Sequence, residues 1–206
     1  MNFDSTASWY DWLVSIVYGS RVTAAQQHLI SGLWPGASVL VVGGGTGRFL
    51  PELIARKPSA ITYLEASASM LAKAKRNTTA TGLIEWVHGD EEWLGKGIQY
   101  DAILTFHLFS NYPPSDATLI WARLNALLKP TGYWLYTDFI ASVQQNLWQR
   151  LYTGVMFWLF RLVAGVQGSK ITGMRRVFTT NGYWERNSKF FYKGFIEAIT
   201  YQKASD

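Results

Sequence analysis

The segment VLVVGGGTGRFL, Val39 to Leu50, constrains the fold more than any other part of the chain. Ser38–Val42 is apolar at nearly every successive position, the pattern of a strand covered on both faces, as in a parallel sheet. It runs into three consecutive glycines and then a fourth at Gly47. A turn almost without side chains lets a ligand approach bare backbone. The helix predicted directly after it, Phe49–Arg56, aims its N-terminus at the same point. In such a sheet the ligand crevice lies at the carboxyl ends of the strands, near the switch in strand order.

The same unit recurs downstream. Apolar, β-branched or aromatic runs predict strands over 60–64, 84–88, 100–106 and 133–138. Helical spacing predicts helices over 68–79 and 116–128, the second ended by the KPTG stretch, Lys129–Gly132. Alternation of this kind gives a doubly wound α/β sheet with right-handed crossovers. Helical spacing also covers Trp9–Ile30. Beyond 138 come a long apolar helix or helix pair over 143–166 and a helix over 171–180. Two strands follow, 183–188 and 195–203, close enough to pair antiparallel. The chain is expected to be a single domain, 1–206. It divides into an N-terminal helical cap (1–32), a core (38–138), an apolar helical insertion (142–180) and a terminal hairpin (183–203).

Composition narrows the chemistry. The 206 residues carry no cysteine and three scattered histidines, which excludes disulfides, zinc-thiolate sites and thiol catalysis, and no metal centre is expected. The net charge of +5 is too mild to choose among anionic partners. MNFDSTASWYDW has no basic stretch leading into an apolar one, so a cytoplasmic protein is expected. The longest uncharged run of the apolar segment, Leu151–Phe160, is ten residues, against the roughly 20 that a spanning helix needs. Stable membrane insertion is therefore not expected, and a peripheral membrane contact stays open.

The glycines at 43, 45 and 47 have G-x-G-x-G spacing. The dinucleotide fingerprint G-x-G-x-x-G fits Gly43 and Gly45, but Arg48 stands at its third position. Glu65 ends the second strand and Asp90 follows the third, in VHGDEEWL. In this order, over most of Ser38–Asp138, the chain resembles the class I S-adenosylmethionine-dependent methyltransferases of small-molecule type. YDWLVSIVYGSR is faintly similar to the pre-core helix of the ubiquinone/menaquinone-biosynthesis-type members. The resemblance implies a mostly parallel, seven-stranded Rossmann-like sheet in the order 3-2-1-4-5-7-6, with a C-terminal antiparallel hairpin. It also implies S-adenosyl-L-methionine as cofactor and S-adenosyl-L-homocysteine (SAH) as product. The implied cofactor site is Gly43, Gly44, Gly45, Thr46, Gly47, Glu65, Ala66, Met70, Asp90, Glu91 and Phe106. Glu65 would take the ribose hydroxyls and Asp90 the adenine amino group, with Glu91 its competitor. One departure stands out. The family's acid two residues before the first glycine is Val41 here, which removes a charge-assisted contact worth on the order of 1.5–3 kcal/mol unless another group replaces it.

The reaction implied is in-line methyl transfer to a small, hydrophobic acceptor, for which the protein supplies alignment and water exclusion. His107, one residue past the fourth strand, is placed for a general base. The alternative for it is a loop histidine bonded to backbone. Asp138 ends the fifth strand near the same crevice. His88 reads as a packed strand residue and His28 as helix surface. Acceptor contacts are expected from the variable parts, Trp9, Tyr10 and Trp12 among them; the apolar segment reads either as a core-packed helix closing the sheet edge, as a cover over the acceptor, which would bring Phe157 or Trp158 near the crevice, or as a dimer or membrane-surface contact. NYPP, Asn111–Pro114, departs from the Asn/Asp-Pro-Pro-aromatic order of nucleic-acid amino-methyltransferases, and no basic–aromatic cluster supports nucleic acid. Two rivals remain: a non-catalytic S-adenosylmethionine-binding or scaffold protein, which Val41 makes tenable, and a nucleotide-cofactor oxidoreductase, disfavoured by the glycine spacing.

Overall fold

The computed structural model describes residues 19–78, 82–94, 97–140 and 173–203. Seven strands form one sheet: β1 (Ser38–Val42), β2 (Ala60–Glu65), β3 (Ile84–His88), β4 (Tyr100–Phe106), β5 (Leu128–Phe139), β6 (Tyr183–Phe191) and β7 (Ile196–Lys203). Their spatial order is β3-β2-β1-β4-β5-β7-β6. β1 to β5 pair parallel, and β7 pairs antiparallel with both β5 and β6. The helices among the described residues are α1 (Gly19–Ser31), α2 (Leu50–Ala55), α3 (Ala68–Arg76), α4 (Pro114–Asn125) and α5 (Arg175–Thr180).

The unbroken apolar pattern of β1 has the cause inferred from sequence. Val39 and Val41 join one core layer, with Ile61, Tyr63, Ala102 and Leu104 of the sheet and residues of α1, α2 and α3. Leu40 and Val42 join the opposite layer, with Ile103, Trp134 and Tyr136 and with α4 and α5. Alternate side chains thus serve two cores. Because the chain leaves β1 for β2 on one side and returns to β4 on the other, the switch point lies between β1 and β4.

Several boundaries differ from the sequence expectations. The helix expected over 116–128 is α4, Pro114–Asn125. Proline is harmless in the first turn, where its missing N–H had no partner to lose. Leu128 instead pairs with Tyr100 as strand. The KPTG stretch therefore does not end a helix but lies inside β5, opposite an irregularity in its pairing with β4 between Tyr100 and Ala102. Lys129 Nζ lies 2.7 Å from Asp101 Oδ1 there. Strand β6 runs three residues past Ser188, to Phe191. Trp9, Tyr10, Trp12, Phe157 and Trp158 lie outside the described residues, as do the apolar segment 143–166 and the start of the first predicted helix. Among the described residues no helix is long and apolar enough to cross a membrane.

Candidate active site

The glycine turn between β1 and α2 is built on left-handed backbone. Gly43, Gly45 and Gly47 have φ of 66°, 61° and 67°. L side chains rarely adopt that region, so glycine here answers a conformational need. Space decides what each glycine faces. A Cβ on Gly47 would press on Leu50 and Ala74, whereas a Cβ on Gly45 would meet nothing within 4 Å. Gly45 is therefore the point of the turn that is open to a ligand.

Strand β2 holds the turn from the side. Glu65 is buried, yet each carboxylate oxygen accepts a backbone N–H: Oε2 from Gly45 at 2.8 Å and Oε1 from Ser67 at 2.8 Å. Burial pushes its carboxyl above the ordinary range, and these N–H groups oppose that shift by favouring the charged form. Ser67 caps α3, its hydroxyl accepting from the Met70 N–H at 3.3 Å. Beyond β3, Asp90 is exposed and caps a 3-10 turn, Glu91–Trp93, by accepting the Glu92 N–H at 3.1 Å. Its neighbour Glu91 is committed elsewhere. Arg123 of α4 lies 2.8 Å from Glu91 and 2.9 Å from Glu92, tying the loop to the helix.

His107 closes the site at the end of β4. It has φ of 55°, unusual for a non-glycine residue, fixed by its N–H donating to Thr137 O at 2.7 Å and its carbonyl accepting from Asn111 Nδ2 at 2.8 Å. Its ring lies 4.5 Å from that of Phe139. Both ring nitrogens are buried without a hydrogen-bond partner. Burial lowers its pKa to about 4, so the imidazole is neutral. Nδ1 lies 3.9 Å from Oδ1 of Asp138. Asp138 is fully buried, accepts N–H groups from Ser110 at 3.0 Å and Phe139 at 2.8 Å, and has its pKa raised to about 6 by burial.

One cavity of about 220 Å³ unites these parts. It is lined by Gly43, Gly44, Gly45, Thr46 and Gly47 of the turn, by Glu65, Ala66 and Met70, by Asp90 and Glu91, and by Phe106 and His107. Asp138 stands behind His107 and is not part of the lining. The other two histidines lie apart from the cavity. His28 is half-buried 5.8 Å from Phe191. His88, expected to be packed, is exposed because β3 is a sheet edge, and its Nε2 lies 3.2 Å from Ala66 O. No group of three or more potential metal ligands occurs among the described residues.

Comparison with known proteins agrees with this geometry. Residues 39–132 match the model of a family described as a methyltransferase domain. Over these residues, a little under half of the chain, it is similar to methyltransferase domains, and its sheet has the strand order that the resemblance implied. Among solved structures, mitomycin 7-O-methyltransferase MmcR has a TM-score of 0.67 at 19% identity, covering 90% of this chain, which spans only 55% of MmcR. DhpI in complex with SAH has a TM-score of 0.69 at 20% identity over 98% of this chain and 93% of its own. Magnesium protoporphyrin IX methyltransferase (ChlM) from Synechocystis PCC 6803, with bound SAH, gives 0.66 at 16% over 89% and 82%. At these identities the likeness is one of fold. No curated protein matches the sequence.

The structure also places residues in the cavity that the sequence did not single out as cofactor-site positions. Val22, Thr23 and Gln26 come from α1, and Leu108, Asn111, Tyr112 and Ile120 from the segment after β4 and from α4. Positions 22, 23 and 26 share one helical face, and 108–112 follow a strand end, so both sets were readable once the crevice rule was applied to loops as well as to motifs.

Proposed function

We propose that this chain binds S-adenosyl-L-methionine in the cavity and transfers its methyl group to a small, apolar acceptor, with His107 as general base. The observation that carries the proposal is the convergence, in one cavity, of an open left-handed glycine, a buried carboxylate and a histidine whose ring nitrogens have no partner. The residues fit the cofactor. Gly45 offers backbone without a Cβ to the methionine moiety. Glu65 keeps acceptor capacity for ribose hydroxyls, because each oxygen uses one lone pair on an N–H. Asp90 is the acid left for the adenine, since Glu91 is held by Arg123. The bound SAH of DhpI and ChlM supports the same ligand here.

Bound there, the cofactor supplies an activated methyl group on a sulfonium. The chain's own part is alignment, exclusion of water and handling of one proton. Val22, Leu108 and Ile120 make the cavity wall apolar, which suits a hydrophobic acceptor and strengthens electrostatic contacts within. His107 would take the proton that an acceptor hydroxyl loses when its oxygen bonds the methyl carbon and the carbon–sulfur bond breaks, with SAH as the leaving group. Nε2 is the nitrogen for this step, because Nδ1 faces Asp138. The Asp138 carboxylate, once ionised, offsets the burial that otherwise opposes an imidazolium.

The test is transfer of label from methyl-labelled S-adenosylmethionine to a panel of phenols and hydroxylated aromatics. His107→Gln is expected to lower transfer ~10²–10⁴-fold and to leave SAH affinity within about twofold by isothermal calorimetry. Full transfer in a folded His107→Gln variant would remove the base from the account.

A further inference from the structure

Val41 leaves the turn without the acid that its resemblance leads one to expect, and the structure shows another group in contact with that turn. Val41 and Tyr63 are direct partners across β1 and β2, and both face the same core layer. Tyr63 is fully buried. Its ring occupies the place that a Cβ on Gly44 would need. Its hydroxyl donates to the carbonyl of Gly45 at 3.0 Å. Two residues on, Glu65 accepts the N–H of that same Gly45 at 2.8 Å. Both polar groups of the open glycine are thus held by side chains of one strand, at alternate positions of β2.

We infer that Tyr63 is the positioning residue of the cofactor turn, setting the Gly45 peptide through its hydroxyl in a chain that has no carboxylate at position 41. The phenol does not line the cavity, so it acts through Gly45 and does not touch the ligand. A neutral donor is the right chemistry for a carbonyl. Burial and the neighbouring Glu65 charge both raise the phenol pKa, so the hydroxyl keeps its proton. A carboxylate at position 41 would lie buried beside this ring, with Leu104 on its other side in the sheet. The chain has a valine there and a tyrosine opposite.

The inference rests on the cofactor reading above, and its test separates the two. Calorimetry compares the wild-type protein with Tyr63→Phe for two ligands: SAH and 5′-methylthioadenosine, which lacks the amino-acid portion. Tyr63→Phe keeps the ring beside Gly44 and removes only the hydroxyl. Its SAH affinity is expected to fall ~5–20-fold, the loss of one buried neutral hydrogen bond, with 5′-methylthioadenosine affinity within about twofold. Amide exchange of the Gly45–Gly47 backbone, faster in the variant with the rest of the sheet unchanged, gives a second reading. Unchanged SAH affinity in Tyr63→Phe, or a parallel loss for both ligands, would overturn the inference and make Tyr63 a packing residue only. Failure of the wild-type protein to bind either ligand would overturn the cofactor reading itself.

Discussion

At the residue scale, Gly45 and His107 carry the argument. Gly45 combines positive φ with empty space, so the two effects of a substitution can be separated. A Cβ there meets nothing within 4 Å, so the fold is expected to survive a valine; the left-handed backbone costs on the order of 1–2 kcal/mol. Its side chain projects into the cavity. Gly45→Val is therefore expected to reduce SAH affinity by ~100-fold or more, while a thermal melt without ligand shifts by only a few degrees. Micromolar binding retained in Gly45→Val would place the ligand elsewhere. The glycine spacing and Glu65 were legible because they are defined by position in a strand–turn–helix unit. Tyr63 was not. Nothing in AITYLE distinguishes a tyrosine that packs from one whose hydroxyl reaches a neighbouring turn, and only the register of β1 against β2 brings it to Gly45. The isolation of the His107 ring was equally invisible, since it depends on tertiary burial of both ring nitrogens.

Among elements, the junction of β5, β7 and α5 brings two buried carboxylates face to face. Asp138 and Glu197 face each other across the two antiparallel strands. Both are buried, with pKa values raised to about 6 and about 7, in each case chiefly by burial. Arg175 of α5 lies 3.4 Å from Glu197 and 3.2 Å from Glu185. It opposes the shift of Glu197, while the charges of Asp138 and Glu185 add to it. Both raised values have one sign consequence. The folded state holds these protons more tightly than the unfolded chain, so their contribution to stability is full below about pH 4 and is lost as pH rises through 6 to 7. Each shift alone corresponds to on the order of 3 kcal/mol. Glu197→Gln removes one buried charge and leaves Arg175 its Glu185 partner. The variant is expected to melt higher than the wild-type protein at pH 8, by several degrees, and to show a flatter dependence of melting temperature between pH 5 and 8. A lower melting temperature at pH 8 would mean that the Arg175 pair outweighs the burial of charge. Element boundaries taught a related lesson. KPTG looks like a helix stop because Pro and Gly usually are, but a strand irregularity accommodates both, and strand pairing overrode local propensity.

For the whole molecule, the sheet order was legible only in part from residues. Unbroken apolar runs alternating with helices dictate a parallel, doubly wound core, and two closely spaced terminal strands dictate an antiparallel pair. Periodicity does not say that β7 inserts between β5 and β6; that order came with the resemblance, and the structure has it. The acceptor was less legible, because the cavity wall beyond the cofactor turn is drawn from α1 and from the segment after β4, which carry no motif. Equilibrium dialysis of the wild-type protein against labelled S-adenosylmethionine, SAH and NAD decides which cofactor the cavity takes. The account predicts saturable binding of S-adenosylmethionine at one site per chain, displaced by SAH, with no retention of NAD. Retention of NAD, or no binding of either adenosyl ligand, would contradict it.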